Sequence, residues 1–315
     1  GDLKIGGQSS SSLDAINIHA DATIASTSSH TITLEQQGSA TEDFYIDLNG
    51  NTLNSNIIFN SIGITNYIRE NTVLGANFSL LQGTFDLAAL TISVDGATDI
   101  DGTLLIATGE FEANGFDATG GVVTFSDAGF LAISGSSPSF GTFTPSLSTV
   151  EFDGSSAQSI EESISFYNLK INNTSGLTLN ATTDVTNQLI LTNGDIISDP
   201  TNKLTVKVGA TISEGSDGSH IVGPMDYETA ATTEITLPVG DGTRYRPVFI
   251  LPATATASTW TARYYNSNYN DLTCAGGDID HVAPGIYWDV SNNLDEECTM
   301  GLSWNSTILV DVPAD

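Results

Sequence analysis

The feature that most constrains this chain is a spaced apolar signature that recurs along it. Ile100-x3-Leu104-x-Ile106-x2-Gly109-x-Phe111 has the same spacing as Val185-x3-Leu189-x-Leu191-x2-Gly194-x-Ile196. An aspartate precedes each copy (Asp99, Asp184), and an acid follows each glycine (Glu110, Asp195). A third copy, Leu74-x3-Phe78-x-Leu80-x2-Gly83-x-Phe85, starts at 74 against 100, so 26 residues earlier. Very short apolar runs repeating every 20 to 50 residues or so, each closed by a glycine turn, read as a solenoid. Alternate side chains point inward, and stacked coils pair their backbones along the axis.

The runs themselves are strands. Leu90–Val94, Val122–Phe125, Leu169–Ile171, Leu177–Leu179 and Leu204–Val208 alternate apolar and polar residues between Gly, Asn, Asp or Ser. That is the period-2 pattern with turn chemistry at both ends. No 3.6-residue apolar stripe persists over four turns, so the chain is all-β. A hairpin-built sandwich is the competing architecture for the first two thirds. Paired long strands joined by two-residue Asn-Gly or Asp-Gly turns would mark it, and the apolar triplets come singly instead. The fold expected is a parallel β-helix (solenoid) over residues 1–220 followed by a β-sandwich, Ig-like and incomplete, over 221–315. The texture changes at His220: strands lengthen, and Trp260, Trp288, Trp304 and both cysteines follow. The sandwich strands expected are Thr233–Val239, Val248–Leu251, Thr259–Tyr265, Ile286–Val290, Met300–Trp304 and Ile308–Val310.

Charge narrows the partners. The 315 residues carry 38 Asp+Glu against 8 Lys+Arg, a formal net charge of −30. A nucleic-acid backbone needs a basic face, which eight scattered cations cannot make. Anionic membrane surfaces are disfavoured for the same reason. No run approaches the ~20 apolar residues of a spanning helix, so no membrane insertion is expected. The chain opens at Gly1 without a Met or an apolar leader, which reads as a processed product. Cys274 and Cys298 are the only cysteines; in an acidic, Lys-poor chain they fit one disulfide formed outside the cytoplasm, with two free thiols as the alternative.

Four stretches carry a resemblance. Phe166–Leu179, Leu189–Ile196, Ser219–Pro224 (Ser-His-Ile-Val-Gly-Pro) and Leu237–Val248 (Leu-Pro-Val-Gly-Asp-Gly-Thr-Arg-Tyr-Arg-Pro-Val) are similar to large secreted surface proteins of Bacteroidetes-type bacteria. Those proteins combine parallel β-helix coils with a β-sandwich module and are commonly exported by the type IX pathway. The resemblance covers roughly residues 75–310. It implies an extracellular or cell-surface location and an adhesive or structural role, with no named reaction.

Few residue constellations point to chemistry. Asp95, Asp99 and Asp101 lie in a glycine-rich turn, where carboxylates can gather the oxygen ligands of Ca²⁺; the plainer reading is that Asp suits tight turns. Asp99, Asp101, Glu110 and Glu112 could line one face, as paired acids do in polysaccharide-acting β-helix enzymes. Exposed acids on solenoid turns are more often simply solvating. The histidines His19, His30, His220 and His281 follow no metal-ligand spacing, and His220 is placed at the junction. Arg244, Arg246 and Arg263 are read as partners of the abundant acids, against a carboxylate-binding alternative. Trp260, Tyr264, Tyr265 and Tyr269 offer a sugar-stacking platform, although Trp260-x-Ala262-x-Tyr264 reads more simply as one core-facing strand side. No catalytic residue and no cofactor other than Ca²⁺ is expected. The function expected is a non-enzymatic extracellular structural or adhesive protein that associates with itself, with surface polysaccharide as a further partner. The alternatives are a polysaccharide-acting β-helix enzyme and a carbohydrate-binding module on a stalk.

Overall fold

In the computed structural model, residues 3–7, 16–17, 27–36, 43–213, 215–270 and 285–303 are described. Every regular element among them is a strand. The chain winds as a parallel β-helix of about ten turns. Each coil visits three sides. On the first side Phe85, Leu104, Val123 and Phe143 stack in parallel register. On the second, Ile92, Phe111, Leu131, Val150, Leu169 and Leu189 do the same. On the third, Phe59, Leu80 and Ile100 stack early in the chain. Later, Gln158, Leu177, Ile196, Ile221 and Val239 form their own five-stranded ladder. Equivalent residues on the second side lie 19 or 20 apart, as Ile92, Phe111 and Leu131 do.

The coil is therefore shorter than the 26-residue offset between the first two signatures. The three copies begin on different sides. Leu74 stacks with Val94 on the second side. Ile100 stacks with Leu80 on the third. Val185 stacks with Val206 on the first. The signature is thus the grammar of one side plus its corner, and 26 residues is one coil plus one side. Its glycine has a shared physical reason. A Cβ would stand 2.5 Å from the Ser61 carbonyl oxygen at Gly83, 2.4 Å from that of Leu90 at Gly109, and 1.7 Å from that of Asn173 at Gly194. Corners of successive coils approach too closely for a side chain.

The core is one continuous column. Phenylalanines dominate its middle: Phe140 lies 6.1 Å from Phe116, 5.3 Å from Phe143 and 5.6 Å from Phe166 between ring centroids, tilted or edge-on. Aromatic pairs prefer that geometry, which adds about 0.5–1.5 kcal/mol each beyond area burial. One corner is polar. Gln158 and Asn173 are buried, and Asn173 Nδ2 donates to Gln158 Oε1 at 2.8 Å. Gln158 Nε2 in turn donates to the carbonyls of Ile133 and Gly135, both at 2.8 Å. The two amides satisfy backbone groups that the turn would otherwise strand away from water.

The hydrogen-bond ladders run through residue 220 without a break. Met225–Thr229 pairs in parallel with Leu204–Val206 on one edge. On its other edge it pairs antiparallel with Ser258–Tyr265, which pairs onward with Tyr287–Asn292. Ile235–Leu237, Val248–Pro252 and Cys298–Leu302 form a second antiparallel sheet. Five of the six expected C-terminal strands coincide with strands at about their expected places; Ile308–Val310 and Trp304 lie outside the described residues. In the region where a sandwich is expected stand these two antiparallel sheets, one of which is continuous with the helix. No helix among the described residues is long and apolar enough to cross a membrane.

Candidate functional site

Side two carries an open polar groove of ≈ 430 Å³ bounded by Asp95, Glu112, Asn114, Ser134 and Asp153. The ladder explains it. Outward residues of successive coils align, so Ser93, Glu112, Ala132, Glu151 and Lys170 form one row. Ala132 is small, so the two glutamates flank a gap. They stand two rungs apart, roughly 9–10 Å at the usual inter-strand spacing.

The acids in the groove and beside it differ in environment. Glu151 is buried; its Oε1 lies 3.1 Å from Lys170 Nζ and accepts from Asn172 Nδ2 at 3.0 Å. Partial desolvation, then the neighbouring charge of Glu151, holds the Asp153 carboxyl above the ordinary aspartate range. Glu110, on the same strand as Glu112, is raised by desolvation and by Glu112 and Glu151. One ion-paired carboxylate beside others pushed toward the neutral form is the kind of division acid–base chemistry requires.

The four acids expected on one face divide between two. Glu110 and Glu112 are on side two, whereas Asp99 pairs in register with Ser79 and Asp117 on side three. Desolvation and the charges of Asp101 and Asp117 raise Asp99. The acids that join Glu110 and Glu112 are Glu151 and Asp153, two coils on. Sequence reasoning missed them, although Glu110-x-Glu112 and Glu151-x-Asp153 share the i, i+2 spacing that places both members on one strand side. Asp95 lines the groove and Asp99 does not, so the Ca²⁺ candidates are spread over two sides. Among the described residues no three His, Cys, Asp or Glu side chains stand where they could share a metal ion.

Other candidates resolve as packing. Trp260 and Tyr264 are buried, so they form the core side of their strand and no sugar platform. Tyr265 is stacked on Tyr287 at 4.4 Å with the Arg263 guanidinium 4.4 Å from its ring centroid, and Tyr269 is exposed, edge-on to Tyr287 at 5.2 Å. Arg246 is buried, and its Nη1 donates to the Tyr245 carbonyl; the charge of Arg244 acts on the Asp241 carboxylate as expected, whereas Arg246 and Arg263 rest on no carboxylate among the described residues. Lysines do: Lys203 meets Asp226, and Lys207 lies 2.5 Å from Glu228. His220 is fully buried at the junction. Its Nδ1 lies 3.0 Å from the Ser216 carbonyl and 3.2 Å from Asp195 Oδ1, while Nε2 accepts the Gly242 N–H at 3.1 Å. That pattern assigns the proton to Nδ1 and ties three loops together. Cys298 is half-buried in its strand, and its proposed partner Cys274 lies outside the described residues, as do His19 and His281.

Comparison with known proteins gives no matching family model, no matching curated protein and no matching solved structure.

Proposed function

We propose that this protein is a non-enzymatic extracellular structural or adhesive rod, of bacterial surface origin, that associates with further copies of itself. The observation that carries this reading is the uninterrupted column. Its backbone ladders are continuous over the coils, its interior is filled with packed side chains, and Lys170, Lys203 and Lys207 are spent on acids of neighbouring coils. Such a body resists bending and compression, as a spacer must. The extracellular bacterial location and the type IX class of export rest on the four resembling stretches, Phe166–Leu179 foremost, and the completed sandwich head rests on the same likeness. Analytical ultracentrifugation between low and high salt tests self-association: species larger than one chain are expected, and a strict monomer at high concentration overturns it.

A second reading is favoured by one specific observation, the groove. Glu112 and Asp153 with an ion-paired Glu151 between coils are compatible with acid-catalysed cleavage of a neutral polysaccharide. Screening neutral and uronic polysaccharides for new reducing ends, with Glu112→Gln and Asp153→Asn as controls, separates the two. Product that disappears in both variants replaces the structural reading with the enzymatic one.

A further inference from the structure

A second cleft of ≈ 430 Å³ lies away from the acidic groove, where the last turn of the helix meets the second antiparallel sheet. We infer that it is a binding site for an uncharged sugar. One wall is Ile212 and Ser213 at the end of side two with Tyr227; the other is Thr236, Phe249 and Tyr245. Thr236 and Phe249 are directly opposed across the sheet, so a hydroxyl and an aromatic ring stand side by side. Phe249 faces Gly301 on its other flank, which adds no side chain over the ring.

The rings are held before any ligand arrives. Tyr227 Oη donates to the Ala210 carbonyl at 2.7 Å. The Tyr245 N–H donates to Asp217 Oδ1 at 2.7 Å, and its ring closes on Gly215, where a Cβ would lie 2.7 Å from Tyr245 Cε2. Ser213 Oγ accepts the Leu191 N–H at 2.7 Å, which leaves its own proton to donate outward. Aromatic faces interleaved with hydroxyls suit a pyranose, which has one C–H face and a rim of hydroxyls. Charge sets the class. Among the described residues the lining holds the carboxylate of Glu234 and no Lys or Arg, in a chain of net charge −30. Uronates, sulfated and phosphorylated sugars are therefore repelled.

This site does not depend on the rod associating with itself, and the test keeps the two apart. The full chain is titrated by saturation-transfer NMR and calorimetry with cellohexaose, mannohexaose and xylohexaose, with polygalacturonate as the anionic probe and a neutral hexapeptide as the non-sugar probe. Saturable binding of at least one neutral hexaose is expected, tighter than about 10 mM. Thr236→Trp, which fills the cleft from a half-buried position, and Phe249→Ala are each expected to weaken it by about tenfold or more. Glu234→Gln, at an exposed position, leaves the fold intact and is expected to keep the neutral hexaose bound within about threefold, with polygalacturonate still rejected by the cation-free lining and the net charge. Absence of saturation by every hexaose, equal binding by the filled variant, or preference for the peptide overturns the inference. Sedimentation of the same samples reports self-association separately.

Discussion

Gly194 and Gly50 both have left-handed backbones, with φ of 82° and 76°, yet their surroundings differ. A Cβ at Gly194 collides with the Asn173 carbonyl, and one at Gly50 meets nothing within 4 Å. Gly50→Ala is expected to cost only the left-handed penalty of about 1–2 kcal/mol. Gly194→Ala carries the clash as well and is expected to exceed it by at least about 1 kcal/mol; urea unfolding of the two variants measures the difference. At Asp153 the expectation concerns sign. Its folded pKa is raised, so its contribution to stability is full below the unfolded value of about 3.9 and is lost as pH rises through the folded value. Asp153→Asn is therefore expected to melt above the unaltered chain at pH 7, with the gap closing in acid. A gap of the same size at pH 3 contradicts the assignment.

At the scale of the element, strands and turns were legible because alternation and glycine placement are local. Val122–Phe125 and Leu177–Leu179 fall where the sequence puts them. The coil length was not legible, because all three sides obey one rule and a signature such as Ile100–Phe111 matches any of them. The same ambiguity misassigned the acids: Glu112 and Glu151 fall in one row only once the coil is known to close at 19 or 20 residues. The amides Gln158 and Asn173 gave no local signal, since their purpose is to satisfy carbonyls about one coil away. The phenylalanine stack makes the column cooperative. Phe140→Ala removes a ring shared by neighbours from several coils and is expected to cost about 3–5 kcal/mol in chemical denaturation. A loss below about 1 kcal/mol there means that the column repacks freely.

Across the whole molecule the dominant quantity is charge. Thirty net negative charges on one body oppose the approach of a second copy, and salt screens that opposition over a Debye length of about 10 Å at 0.1 M. Association is expected to strengthen between 20 mM and 500 mM salt by sedimentation velocity, values chosen to span roughly 20 Å down to 4 Å of screening. An assembly indifferent to salt removes electrostatic opposition from the account. The ladders that ignore residue 220 carry a mechanical corollary. A pull applied across the C-terminal sheet and the coils meets the same strand register on both sides of His220, with Met225–Thr229 belonging to each. Strands lie across the axis of such a coil, so tension along it runs down the inter-strand hydrogen bonds, and those on both edges of Met225–Thr229 carry it in series.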